Sequence, residues 1–435
     1  RMDRMQIEDL LLKTRGLALF IGVLDSPAAR SFVELLELLK EERSRPTEIS
    51  ATFGVLWEEL ALDSGYLLSD AWQSHLVERI LDDENPFSRG TEFGSVREAV
   101  REQARKDLHT LRALFELNAD TVFAMLEDAV PGLTGIWVPW TDPEPNEDSA
   151  RHSIARKLAE AENWEGFPEL LAVHYERHGA GAFGRNRAFR WRAGELHTVA
   201  HPDSIELDDL IDYGGERDPL IKNTERFLAG LPAQHALLYG LPGTGKSSTV
   251  KALLHEYAGQ GLRIVEVAKE DLGELPRVLD LLRGRGPRFI LFVDDLSFEE
   301  HEIEYKALKA LLEGSVEKPP ENVRLYATSN RRNLIRESFD DRDEDDVHAR
   351  DTMQEKLSLS ARFGLRVTFP APDQGRYLRI VSGLAQRRGM KLTEEALRER
   401  ALLWDRWHAG RSGRTARQFV DELQAELTED RDVRR

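Results

Sequence analysis

Along the first 140 residues, apolar side chains recur every three or four positions, as in SPAARSFVELLELLKEE (26–42). That is the period of a helix with one buried face, with Ser26 as its N-cap and Pro27 as its first residue. A Pro- and acid-rich break, VPWTDPEPNEDSARH (138–152), reads as a loop, and helical spacing resumes in SARHSIARKLAEAEN and FPELLAVHYERHG. After residue 200 the rhythm changes. Short apolar runs now alternate with amphipathic segments: HALLYG (235–240), LRIVEVA (262–268), FILFV (289–293), VRLYATS (323–329) and LRVTF (365–369). Strands apolar on both faces belong in a mainly parallel sheet covered on both sides, so an α/β layer is predicted. Only helical patterns follow it. The expected organisation is a mostly helical N-terminal region (1–195), an α/β core (196–371) and a helical lid subdomain (372–435).

Composition agrees with this division and narrows the functional classes. The chain's 435 residues suffice for two or three units of about 150 residues each. Its 41% hydrophobic and 32% charged residues are those of an ordinary globular protein. The apolar stretch LALFIGVL (17–24) is too short to span a bilayer, and no secretory signal is evident, so a cytoplasmic protein without a membrane partner is expected. With no cysteine, the chain can form neither disulfides nor Cys-zinc sites. A formal net charge of -18 opposes non-specific attraction to nucleic acid over most of the surface.

The chemistry begins at GLPGTGKSS (240–248), which fits G-x-x-x-x-G-K-[ST] through Gly240, Gly245, Lys246 and Ser247. Glycines let such a loop wrap phosphates with its backbone N–H groups, the lysine adds charge at the β/γ oxygens, and the hydroxyl serves Mg²⁺. Pro242, Gly243, Thr244 and Ser248 complete the predicted ATP cradle. A strand precedes it, and the helix after it carries Val250, Leu253, Leu254 and Tyr257 on one face, so the positive end of its dipole meets the phosphates. A second apolar strand ends in Asp294 and Asp295. In P-loop proteins an Asp there holds Mg²⁺, which assigns Ser247 and Asp294 to the metal and Asp295 to polarising the attacking water.

GLPGTGKSS, FILFVDDLSFE, LYATSNRRNL and SLSARFGL together resemble the AAA+ ATPases, and their wording resembles the bacterial domain-of-unknown-function family 815. The resemblance covers roughly residues 189 to 425. It implies an AAA+ P-loop α/β core, Mg-ATP hydrolysis and homo-oligomerisation. It further implies that Asn330 is the sensor 1 residue between the acids and the γ-phosphate, alongside its reading as a helix N-cap. Arg362 resembles the arginine finger that reaches a neighbouring subunit's nucleotide, the alternative being a solvated surface arginine. Arg414 and Arg417 both fit sensor 2, with Arg417 favoured because it leads RQFVDEL. Two departures stand out. Asp295 replaces the more usual Glu, which points to slow hydrolysis, and AKEDLGELP (268–276) lacks the aromatic pore residue of many unfoldases, which disfavours polypeptide threading.

Weaker signals are read as follows. GAGAFG (179–184) lacks the strand-to-helix context of a dinucleotide motif and reads as a loop leading to a hairpin. His174 and His178 lack a third ligand and read as a solvated helix end. RHGAGAFGRNRAFRWR (177–192), basic with interleaved aromatics, reads either as a single-stranded nucleic-acid contact or as a docking surface for a neighbouring subunit. The acidic run at 340–351 reads as a solvated loop. The function expected is an ATPase that remodels or switches a partner macromolecule, with a protein or nucleic acid engaged through the N-terminal region. The alternative is a nucleic-acid-associated initiator or loader whose assembly is driven by ATP binding.

Overall fold

The computed structural model describes residues 4–41, 45–62, 66–132, 134–141, 150–297, 305–313, 319–330, 359–408 and 410–432. The acidic run at 340–351, the segment after Asn330 and Glu299 lie outside the described residues. The chain divides into two compact units: Arg1–Arg185 with Arg285–Pro287, and Asn186–Gly284 with Arg288–Arg435. No helix among the described residues is long and apolar enough to cross a membrane.

The first unit is helical, as its spacing predicts. Its helices are α1 (Arg4–Arg15), α2 (Pro27–Lys40), α3 (Pro46–Ala61), α4 (Ala71–Asp82), α5 (Pro86–Glu92), α6 (Glu98–Phe115), α7 (Ala119–Ala129), α8 (Ala150–Glu160), α9 (Phe167–His178) and α10 (Ala182–Arg185). Ser26 caps α2 by accepting the Ala29 N–H at 3.1 Å, and Pro27 follows it. Phe32 of α2 stacks on Trp72 of α4 with ring centroids 3.7 Å apart. Buried Asp107 accepts the N–H groups of Ala18, Leu19 and Phe20, satisfying donors that a turn of helix leaves open. Arg285 is also buried here, donating to Glu92 at 2.7 Å, to Glu84 at 3.0 Å and to the Ala180 carbonyl at 2.9 Å. A desolvated guanidinium is tolerated only when paired and hydrogen-bonded in this way.

The second unit is built on a seven-stranded sheet. Its strands are β1 (Ala188–Arg192), β2 (Glu195–Thr198), β3 (Ala236–Gly240), β4 (Leu262–Val267), β5 (Arg288–Val293), β6 (Val323–Ser329) and β7 (Leu365–Phe369), in the order β2-β1-β4-β5-β6-β3-β7. All neighbours are parallel except the β1–β2 hairpin. Its two-residue turn, Ala193 and Gly194, has positive φ at both positions, which matches the twist of the strands. Helices α11 (Gly214–Leu228), α12 (Lys246–Tyr257), α13 (Leu275–Leu282) and α14 (Tyr305–Glu313) alternate with the strands. The lid helices follow: α15 (Gln374–Arg387), α16 (Glu394–Trp407) and α17 (Gly413–Asp432). Their buried Tyr377, Ile380, Val420 and Leu423 join the cluster formed by Leu238, Val250, Leu253 and Phe369. Ion pairs add to this contact, Arg376 of α15 reaching Glu216 at 3.0 Å and Arg379 reaching Asp212 at 2.8 Å.

Half-buried His235 sits just before β3, where its Nδ1 accepts the Leu325 N–H at 2.9 Å. Burial, reinforced by the Arg324 charge, pushes its pKa down from 6.5 to about 4. The unfolded chain therefore takes up a proton near pH 6.5 that the fold refuses until about pH 4, so stability present above 6.5 is lost as pH falls through that window. His235→Asn keeps an acceptor but does not titrate. Its melting temperature is expected to fall less steeply than wild type between pH 6.5 and 4. Parallel curves would refute the assignment.

Candidate active site

The loop 241–245 joins β3 to α12 at the C-terminal edge of the sheet, where parallel α/β folds place their ligands. Gly240 allows the sheet to close there, because a Cβ would lie 2.0 Å from the Phe369 carbonyl oxygen. Gly245 takes the left-handed conformation at φ 94° and caps α12 without a side chain, leaving the first turn's N–H groups for a ligand.

From this frame the polar groups converge. The Lys246 ammonium donates to the Gly240 and Leu241 carbonyls, each at 2.9 Å, and to Asn330 Oδ1 at 3.0 Å. Burial lowers its pKa and Arg414 adds to that effect, while Asp294 and Asp295 act in the opposite direction. Asn330 Nδ2 in turn donates to Asp295 Oδ1 at 2.7 Å. The Ser247 hydroxyl donates to Asp294 Oδ1 at 2.6 Å, and the Thr328 hydroxyl donates to the same oxygen at 2.5 Å. The two acids at the end of β5 therefore answer to P-loop groups from one side and β6 groups from the other.

A cavity of about 400 Å³ opens above these groups, within the size range of small-molecule sites. Its floor includes Pro242, Gly243, Thr244, Gly245, Lys246, Ser247 and Ser248, with Asp294, Asp295 and Asn330 beside them. Arg414 and Arg417 of α17 both line it, and the Arg414 N–H donates to the Gly243 carbonyl at 3.2 Å. Ile211 and Tyr213 face Ile380 and Leu384 of α15 to form an apolar wall suited to a flat ring. A clustered ammonium, a hydroxyl–carboxylate pair and a helix N-terminus without a side-chain cap fit a polyphosphate with a divalent cation, Ser247 and Asp294 being the hard oxygen donors.

Most residues singled out by the motifs thus meet in one cleft. Gly240 lies just behind it, and Arg362 is absent from its lining, on the partly exposed turn that leads into β7. The motifs missed Thr328 and the apolar wall. Three other expectations need correction or amplification. In the basic stretch, Phe183, Phe189 and Trp191 are at most 4% exposed and Arg190 is paired with Glu266 at 2.8 Å, so those rings are not available to stack on bases. His174 is buried rather than solvated, and no group of three metal-ligating side chains occurs among the described residues. In the segment after β4, the apolar Leu272 and Leu275 turn inward.

The family model described as "Protein of unknown function (DUF815)" matches residues 184–427. The chain is 29% identical over 161 residues to the proteasome-activating nucleotidase of Thermococcus onnurineus, a match covering 32% of this chain and 40% of the relative. The proteasome-activating nucleotidase of Sulfurisphaera tokodaii is 31% identical over 161 residues, covering 32% and 41%. The chain therefore spans about two fifths of the length of these curated relatives. Among solved structures, the Thermotoga maritima RuvB Holliday junction branch migration motor aligns with a TM-score of 0.36 and 17% identity over 52% of this chain and 66% of that one.

Gly240→Ala tests the geometry directly. The Phe369 carbonyl belongs to a paired strand and cannot move aside cheaply, so the substitution is expected to destabilise the second unit by more than about 2 kcal/mol. Urea unfolding followed by tryptophan fluorescence measures this, and a wild-type midpoint would show that the close approach is wrong.

Proposed function

The chain belongs to the DUF815 family, with a P-loop α/β core of the AAA+ type, and on that premise we propose that it binds and hydrolyses Mg-ATP in the cleft above β3 and β5. The observation that carries this reading is the convergence of Lys246, Ser247, Asp294, Asp295 and Asn330 through direct hydrogen bonds. The α12 N-terminus and Lys246 would cradle the phosphates, the wall of Ile211, Tyr213, Ile380 and Leu384 would take the base, and Ser247 and Asp294 would hold Mg²⁺. When bound, the ion neutralises charge on the β- and γ-oxygens. Asp295 is the base that orients and polarises water, with Asn330 fixing its carboxylate from the γ-phosphate side.

Arg362, set outside its own chain's cleft, is the group that completes a neighbour's site in a homo-oligomer. Hydrolysis or ATP occupancy then remodels or switches a partner macromolecule in the cytoplasm. The relatives' printed name, nucleotidase, agrees with nucleotide turnover. The inward-facing Leu272 and Leu275 support a mechanism other than threading, and the buried rings of the basic stretch weigh against the initiator or loader alternative.

Three variants test the reading. Lys246→Ala is expected to lose most ATP binding, and Asp295→Asn to bind ATP while nearly abolishing phosphate release, because an amide cannot act as a base. Arg362→Ala is expected to bind ATP yet turn over about 10³-fold more slowly, the scale of losing a trans-acting arginine. Mixing Arg362→Ala with Lys246→Ala should return part of the activity, since each supplies what the other lacks. Unimpaired binding and turnover by Lys246→Ala would overturn the site. Mixed oligomers that form but stay inactive would overturn the role of Arg362.

A further inference from the structure

Thr328 lies in the LYATSNRRNL stretch, where motif reading gives a role to Asn330 alone, yet it stands at the meeting point of the two acids. Strands β5 and β6 run in parallel register through Val293 and Ala327, so the next step along each sets Asp294 beside Thr328 at the ligand-facing edge of the sheet. The side chain is 1% exposed. Its hydroxyl has a single proton and donates it to Asp294 Oδ1 at 2.5 Å. The Thr328 Oγ1 itself accepts the Asp295 N–H at 2.9 Å. The hydrogen-bond directions are thereby fixed: one hydroxyl ties the side chain of the first acid to the backbone of the second.

That backbone needs holding. Asp295 sits at φ 51°, in the left-handed region that residues with a Cβ rarely occupy. The turn is what aims its carboxylate at Asn330, 2.7 Å away. Apart from Thr328, the Asp295 N–H has among the described residues only a longer approach of 3.2 Å to Asp294 Oδ1. The next N–H along the chain, that of Leu296, is bound at 2.7 Å by the carbonyl of the same Thr328.

From this we infer that Thr328 is a positioning residue of the active site, which locks the left-handed turn at Asp295 and the carboxylate orientation from which Asp294 would reach a hydrated cation. The inference rests on the ATPase reading for its catalytic consequence, but the lock itself is a property of the protein alone. Valine has nearly the shape of threonine and offers neither the donor nor the acceptor. Serine offers both.

Thr328→Val, Thr328→Ala and Thr328→Ser separate these possibilities. Amide hydrogen exchange of the segment 289–297 in nucleotide-free protein is expected to show the Asp295 N–H exchanging about tenfold faster in the Val and Ala variants, the scale of one lost hydrogen bond, and at the wild-type rate in the Ser variant. Binding of a fluorescent ATP analogue without Mg²⁺ should be unchanged in all three, which also verifies folding. With Mg²⁺, phosphate release by the Val and Ala variants should fall, or the Mg²⁺ concentration for half-maximal rate rise, by about 10- to 100-fold, as for lost outer-shell partners of a metal site. The Ser variant should recover most of this. Wild-type exchange and turnover in Thr328→Val overturns the inference, as does Thr328→Ser behaving like Thr328→Ala. A wild-type chain whose Asp295 amide is protected through Thr328 but which neither binds nor hydrolyses ATP would sink the ATPase reading, leaving the turn lock standing without its catalytic role.

Discussion

A carboxylate at the end of a buried strand must find partners or forgo its charge, and the second unit is organised around that requirement. β5 runs through the middle of the sheet with Phe289 to Val293 all buried, then delivers Asp294 and Asp295 to its edge. The donors that meet them come from two separate stretches of chain: Ser247 opening α12, and Thr328 and Asn330 at and just beyond the end of β6. Because β6 lies between β5 and β3, the order of the strands brings these stretches together. Changing that order would scatter the donors and leave two acids beside an apolar core.

The hydrophobic pattern marks five of the six parallel strands, β3 to β7, to within a residue or so, since strands buried on both faces are written as unbroken apolar runs. Motif chemistry was equally legible for Lys246, Ser247 and Asp294, whose roles follow from fixed spacing along the chain. Thr328 was not. A threonine near the end of a strand-like run looks like any strand residue, and only the register with β5 gives its hydroxyl a task. The wall formed by Ile211, Tyr213, Ile380 and Leu384 was hidden for a similar reason: its halves lie about 170 residues apart and carry no local periodicity that distinguishes a binding wall from a core.

In the first unit, periodicity foretold helices and the cap at Ser26, but the polar interior depends on tertiary partners that no local rule names. Asp107 reads as a surface residue of an amphipathic helix until three N–H groups of residues 18–20 are found on its carboxylate. Arg285 reads as part of a basic turn until Glu84 and Glu92 surround it. Such pairs give the helices a definite arrangement, because each buried charge is satisfied in one geometry and costly in most others.

The β1–β2 hairpin has a bearing on how copies of this chain can meet. Without it, β4 would offer an apolar strand with unpaired backbone groups along one side of the sheet, the kind of margin that recruits strands from other molecules. β1 covers β4, and the new margin is the four-residue β2, with Glu195, His197 and Thr198 exposed. A short, polar, strongly twisted ribbon is a poor template for a further strand. Along this margin, growth of the sheet from one molecule into the next is discouraged, and contacts between copies there fall to side chains and loops.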